Sequence, residues 1–123
     1  MPTAIPPEFI DLLEGEALGH LATVRADGTP HVTPLWVDHD GDTLLVNVRL
    51  DRVKAANMRE RTAVALSVVD PRNPHRFLAV SGRRSSESRP RAFITRRATP
   101  RYRPTDSPDY PTFHSALYSL RPD

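Results

Sequence analysis

Apolar and polar residues alternate with a period of two through much of the first eighty positions, and that period predicts β-strands. "LGHLATVR" (18–25), "PHVTPLWVDHD" (30–40) and "DTLLVNVR" (42–49) are three such runs. The Asp27-Gly28 pair between the first two predicts a type I′ hairpin turn, in which both central residues take positive φ, and Asp40-Gly41 turns the chain again. The result is an antiparallel meander. In the third run Leu44, Val46 and Val48 share one face, while Leu45, Asn47 and Arg49 share the other. Pro34 cannot donate to a sheet ladder, so the second strand should be irregular or at an edge near it.

Two further runs, "TAVALSVVD" (62–70) and "RFLAVSG" (76–82), predict a fourth and a fifth strand joined by the loop "PRNPH". Helical spacing occurs twice. "PPEFIDLLEG" reads as a short amphipathic helix that starts on Pro6-Pro7 and is capped by Gly15. "RVKAANMRER" (52–61) reads as a second, with Asp51 as its N-cap. Five mostly antiparallel strands with two small helices suggest a mainly β protein built as a small closed or split barrel.

The pattern stops near Gly82. All ten valines precede it, and the residues beyond it are rich in Arg, Ser, Thr and Pro with no sustained period. Such a segment buries too little apolar surface to offset its ordering entropy. The organisation expected is therefore a patterned domain over 1–82 and a largely irregular, disordered tail over 83–123. Within that tail only "FHSALYSL" could pack as a short helix or strand.

A length of 123 residues suits one domain. Without cysteine, disulfides and thiolate metal sites are excluded. Neither a signal peptide nor an apolar run of the roughly 20 residues a membrane span needs is evident, so a soluble cytoplasmic protein is expected. The formal charge of +2 hides a division: residues 1–82 carry 8 basic against 11 acidic residues, and 83–123 carry 9 against 4. The high pI thus describes the tail rather than the patterned domain.

Sixteen of the seventeen basic residues are arginine, and the single lysine, Lys54, falls in "NVRLDRVKAAN" beside Arg49, Asp51 and Arg52. A helix beginning at Asp51 puts Arg52 and Lys54 in its first turn, where unsatisfied N–H groups already supply about half a positive charge. Cations are mildly unfavourable there unless an anion docks among them. Either these side chains lie in solvent or they meet such an anion. Trp36 is the only tryptophan, and beside Pro34 it is either a core aromatic or one wall of a slot for a flat ring. "DHDGD" fails as a calcium loop, because its glycine comes too early and its twelfth position is Arg49. The five histidines lack ligand spacing, and no nucleophile elbow or phosphate-binding Walker loop is present. An enzyme built on this chain must borrow its chemistry from a cofactor.

In order and spacing, "HLATVRADGTPHVTPLWVDHDGDTLLVN", "RVKAAN" and "VALSVVDPRNPHRFLAVSGR" resemble the split-barrel flavin and deazaflavin oxidoreductases related to pyridoxamine 5′-phosphate oxidase. The likeness is strongest to the branch that uses coenzyme F-420, and it spans about residues 8–83. It implies an FMN-binding-type split β-barrel, a homodimer, and a cofactor in a groove between subunits. It also implies that Arg52, Lys54 and Asn57 hold the phosphate end, that Thr33, Pro34, Leu35 and Trp36 line the ring, and that Asn47 and Arg49 close the wall. The cofactor would be coenzyme F-420, with FMN as the alternative, and the reaction hydride transfer to a small conjugated substrate. Two departures stand out. Val48 occupies a position where relatives should carry a hydroxyl, and the tail resembles neither the helix nor the closing strand expected after "SGR", which leaves the barrel incomplete.

Two other functions compete: a cofactor carrier or inactive truncated relative, and a small barrel that binds single-stranded nucleic acid through its arginine tail. The net-acidic barrel and its lone indole count against the latter.

Overall fold

The computed structural model describes residues 4–15, 17–88 and 115–122. A 3-10 turn at Pro7–Phe9 leads into helix α1 (Ile10–Glu14), which Gly15 ends in an extended conformation (φ −98°) rather than a left-handed one. Strands β1 (Gly19–Val24) and β2 (Pro30–Leu35) form the first hairpin, with Gly19 opposite Leu35 and Val24 opposite Pro30. Its turn is not type I′, because only Gly28 (φ 88°) has positive φ. Arg25 N–H donates to Thr29 O and Gly28 N–H to Arg25 O, each at 2.9 Å, which makes a three-residue loop with glycine in the left-handed position. The Asp27 carboxylate accepts from Thr29 N–H and O–H at 3.0 and 2.6 Å and so holds the loop in this form.

The stretch read as one second strand is two. It breaks at Trp36, after which β3 (Val37–Asp40) pairs with β4 (Thr43–Arg49) instead of with β1. With β5 (Ala63–Asp70), β6 (Asn73–Ser88) and β7 (Ser115–Pro122), the seven strands of the described residues run in the order β2-β1-β5-β6-β7-β4-β3, so β2 and β3 are opposite edges of one sheet. A single residue joins those edges, and the sheet must curl until they meet. The architecture is a split barrel. β1 approaches β3 so closely that a Cβ on Gly19 would overlap Val37.

Helix α2 (Val53–Glu60) crosses the barrel between β4 and β5 (Ala63–Asp70). Its N-cap is Arg52, not Asp51, whose carboxylate instead accepts from Arg49 Nη2 at 2.8 Å. β5 and β6 (Asn73–Ser88) form a tight hairpin with Asp70 opposite Asn73, so "PRNPH" lies mostly within strand.

The expected border at Gly82 needs correction. β6 runs on to Ser88, and β7 (Ser115–Pro122) enters between β6 and β4, supplying the closing strand thought absent. Backbone hydrogen bonds to two existing strands order these residues, and the "FHSALYSL" stretch is a strand from Ser115 on. β7 also delivers Tyr118 and Leu120 to the core, beside Leu13, Leu21, Leu44 and Met58. Residues 89–114, where the further helix was expected, lie outside the described residues.

Three ties fasten the amino-terminal segment under the barrel. Ile5 N–H donates to Asp42 Oδ1 at 3.0 Å. His39 Nε2 lies 2.7 Å from Glu14 Oε2. Arg76 bridges Asp11 and Asp70 while its guanidinium stacks 5.1 Å from the Phe9 ring centre.

Candidate functional site

Where the sheet folds over at Trp36 and α2 begins, the chain encloses a cavity of about 350 Å³. β2 contributes Thr33, Pro34 and Leu35, and Trp36 follows them. Asn47 and Arg49 come from the end of β4, and Arg52 and Lys54 from the start of α2. Eight of the nine residues expected at the site therefore surround one space, although they come from three separated parts of the sequence.

The cavity has two kinds of wall. Leu35, Trp36 and Pro34 make an apolar slot, and Arg49, Arg52 and Lys54 make a cationic end. Lys54 is half-buried, and its Nζ donates to Thr33 Oγ1 at 3.0 Å. Among the described residues no carboxylate pairs with it. Burial, and after it the neighbouring Arg52 charge, hold its pKa below the ordinary lysine value. A half-desolvated ammonium without a counter-charge is costly, and an anion arriving there relieves the cost. The helix adds to this field: no side chain caps α2, so its first-turn N–H groups keep their positive end at the cavity rim.

Asn57 is the exception. It is buried, and its Nδ2 donates to Thr23 Oγ1 at 2.9 Å while its Oδ1 accepts from Arg61 Nη2 at 3.3 Å. It points at β1 and does not line the cavity, so its expected direct contact with a phosphate is withdrawn. One helical turn from Lys54 is the right spacing, but the turn carries Asn57 beneath the helix.

Sequence reasoning missed Leu18, whereas Val48 lines the cavity at the position where the resemblance implied a hydroxyl for the phosphate. Val48 alternates with Asn47 and Arg49 along β4 and is 1% exposed, yet it borders the same cavity. Leu18 precedes β1 and is 43% exposed, a lip whose signal was merely an apolar residue at the surface.

The only charged groups among the described residues that line the cavity are cations. Among the described residues no group of three or more His, Asp or Glu could hold a metal ion. The site's chemistry suits an anion at one end and an apolar ring at the other, and its described residues include no acid–base pair.

A family profile described as pyridoxamine 5′-phosphate oxidase matches residues 5–114. No curated protein sequence matches the chain. Among solved structures, an F-420 reductase is 35% identical over 97% of this chain and 96% of its own, with a TM-score of 0.82. HupZ of Group A Streptococcus, in a variant form, is 20% identical over 97% and 95%, with a TM-score of 0.70. A putative pyridoxamine 5′-phosphate oxidase from Lactobacillus delbrueckii is 18% identical over 98% and 91%, also at 0.70. The last two share the fold.

Proposed function

The chain belongs to the pyridoxamine 5′-phosphate oxidase family, and we propose that it is an oxidoreductase holding coenzyme F-420, or FMN in the same groove. The family binds flavins, and the 35% identical F-420 reductase favours the deazaflavin. The observation that carries the reading is Lys54: a half-buried ammonium bonded only to a hydroxyl, in a cavity that Arg52 and Trp36 also line.

The residues fit such a cofactor. Lys54 and Arg52, with the uncapped start of α2, suit its phosphate as charge-assisted donors. Arg49 keeps one guanidinium nitrogen on Asp51, which orients the rest of the group along the wall. Thr33 holds Lys54 at the rim. Trp36, Leu35 and Pro34 offer flat apolar surface to a ring system and exclude water from its face. When bound, the cofactor supplies hydride chemistry, two-electron only for a deazaflavin and oxygen-reactive for FMN. The chain's share is to orient a small conjugated substrate against the ring.

A homodimer accompanies this reading. The outer face of β2-β1-β5-β6 carries Val32, Ala22 and Ala65 in one row, Pro34, His20, Ser67 and Ala79 in the next, and Val69 beside Phe77. None of these bears a fixed charge, and Val32 and Phe77 are more than half exposed. Arg83, opposite Ala63, puts a fixed charge at the rim of this face, but a patch otherwise so poor in charge in a chain that is 26% charged suits a second copy of itself. It adjoins the cavity at Pro34. As to localisation, no helix among the described residues is long and apolar enough to cross a membrane.

Titration with FMN and with coenzyme F-420, followed by cofactor fluorescence, tests the function. Lys54→Ala should weaken binding roughly 10- to 100-fold, the worth of one charged hydrogen bond. Equal affinity in wild type and variant would reject the phosphate assignment. Tight binding without turnover would leave a cofactor carrier. Salt-sensitive binding to an oligonucleotide, and to neither cofactor, would make the chain a nucleic-acid binder.

A further inference from the structure

Behind the cavity runs a buried polar chain that touches none of its space. Arg61 Nε donates to Val24 O at 2.6 Å and Arg61 Nη2 to Asn57 Oδ1 at 3.3 Å, and Asn57 Nδ2 donates to Thr23 Oγ1 at 2.9 Å. Thr23 is 1% exposed and Asn57 5%. A buried amide–hydroxyl pair adds little stability over apolar side chains of the same shape, and it is costly when either partner is lost. What it supplies is direction: the bond is satisfied in only one placement of the helix on the strand.

That placement matters because of what lies one turn earlier. Lys54, three residues before Asn57 on α2, reaches Thr33 on β2. Thr33 stands opposite Leu21, two residues before Thr23 on β1, so both hydroxyls face the helix from neighbouring strands. Two residues one helical turn apart thus meet two threonines on adjacent strands. The second contact is sealed in the interior and the first lies at the cavity rim.

We propose that Thr23, Asn57 and Arg61 are positioning residues, which seat α2 on β1 and thereby set where the Lys54 ammonium stands at the cavity rim. They touch no ligand. Their relevance to the reaction rests on reading Lys54 as the phosphate ligand, but the inference about Lys54 is tested without any ligand.

The single lysine makes that test clean. In the full chain grown with lysine labelled at 13Cε, one side-chain signal reports the Lys54 titration. Thr23→Val keeps shape and removes the acceptor, and Thr23→Ser keeps the hydroxyl. Arg61→Lys cuts the outer link should Thr23→Val fail to fold, and Leu78→Ala loosens the core on β6 instead. The Lys54 midpoint should move up by roughly half a pH unit or more toward the ordinary value of about 10.4 in Thr23→Val and in Arg61→Lys, and stay in place in Thr23→Ser and Leu78→Ala. A midpoint unmoved in folded Thr23→Val or Arg61→Lys, or moved as far by Leu78→Ala, overturns the proposal. Loss of cofactor binding with an unmoved midpoint would count against the positioning role alone. A moved midpoint in a chain that binds neither cofactor would count against the proposed function alone.

Discussion

Gly82 on β6 lies so close to Arg121 on β7 that a Cβ at Gly82 would overlap the Arg121 carbonyl oxygen and stand 2.8 Å from its carbon. The clash is with backbone, which cannot swing aside as a side chain can. Gly82→Ala should therefore force β7 away from β6, costing about 3 kcal/mol and lowering the thermal midpoint by roughly 10 °C. Calorimetry reads the result directly, and a midpoint within about 2 °C of wild type would mean that β7 is not seated as described.

Lys54 makes the unliganded protein and its complex respond to alkali in opposite ways. Its folded pKa lies below the unfolded value, so burial disfavours the charged form. Between those two pKa values the unfolded chain binds more protons, and stability of the free protein should rise with pH there. Anion affinity should fall over the same window, because the ligand needs the ammonium. Paired denaturation and phosphate titrations from pH 8 to 11 should show the two trends crossing, and Lys54→Ala should abolish both.

His39 should show the reverse dependence near neutrality. Its Nε2 faces the Glu14 carboxylate at 2.7 Å and its Nδ1 faces Gly41 O at 3.1 Å, so both ring nitrogens meet acceptors and only the imidazolium satisfies both. Burial alone would lower its pKa, but Glu14, then the Gly41 carbonyl, and the charges of Glu14 and Asp38 outweigh it and raise it. The tie is fully present below the unfolded pKa of about 6.5 and is lost as pH rises through the higher folded value. Imidazole proton signals should place the His39 titration above that of a free histidine, and Glu14→Gln should bring it down.

Phe77 stands opposite Val69 on the outer face, away from the Arg83 charge at its rim. Phe77→Glu places a charge where a second copy would have to bury it, at a cost of several kcal/mol to the pair. The variant should elute as a monomer at concentrations where the wild type elutes as a dimer, with its unfolding midpoint shifted by concentration in the wild type only. A dimer that survives the substitution unchanged would assign the interface to another face.

Much of this site could be read along the chain. Period-two runs named β1, β4, β5 and the start of β6, and the Asp-Gly pairs named two reversals, because side-chain alternation and positive φ are local properties. The crowding of Arg49, Arg52 and Lys54 was equally local. Asn57 was misjudged because helical spacing says which residues share a side, not whether that side faces a cavity or a strand. The Asp27-Gly28 turn was mistyped because the Asp27 carboxylate bonds to Thr29, an interaction that the dipeptide does not encode.

By itself the sequence determined where strands and turns fall and that cations gather at the start of α2, since each depends on neighbours within a few residues. Only the tertiary structure decided that Leu35 and Val37, with Trp36 alone between them, belong to opposite edges of the sheet. The same holds for residues 115–122: "FHSALYSL" stood out only as a possible short helix or strand, and its place between β6 and β4 was set by the closing of the barrel. Backbone hydrogen bonds carry no side-chain signature, so which strands share a ladder is settled when the sheet closes, and the cavity exists because it closes there.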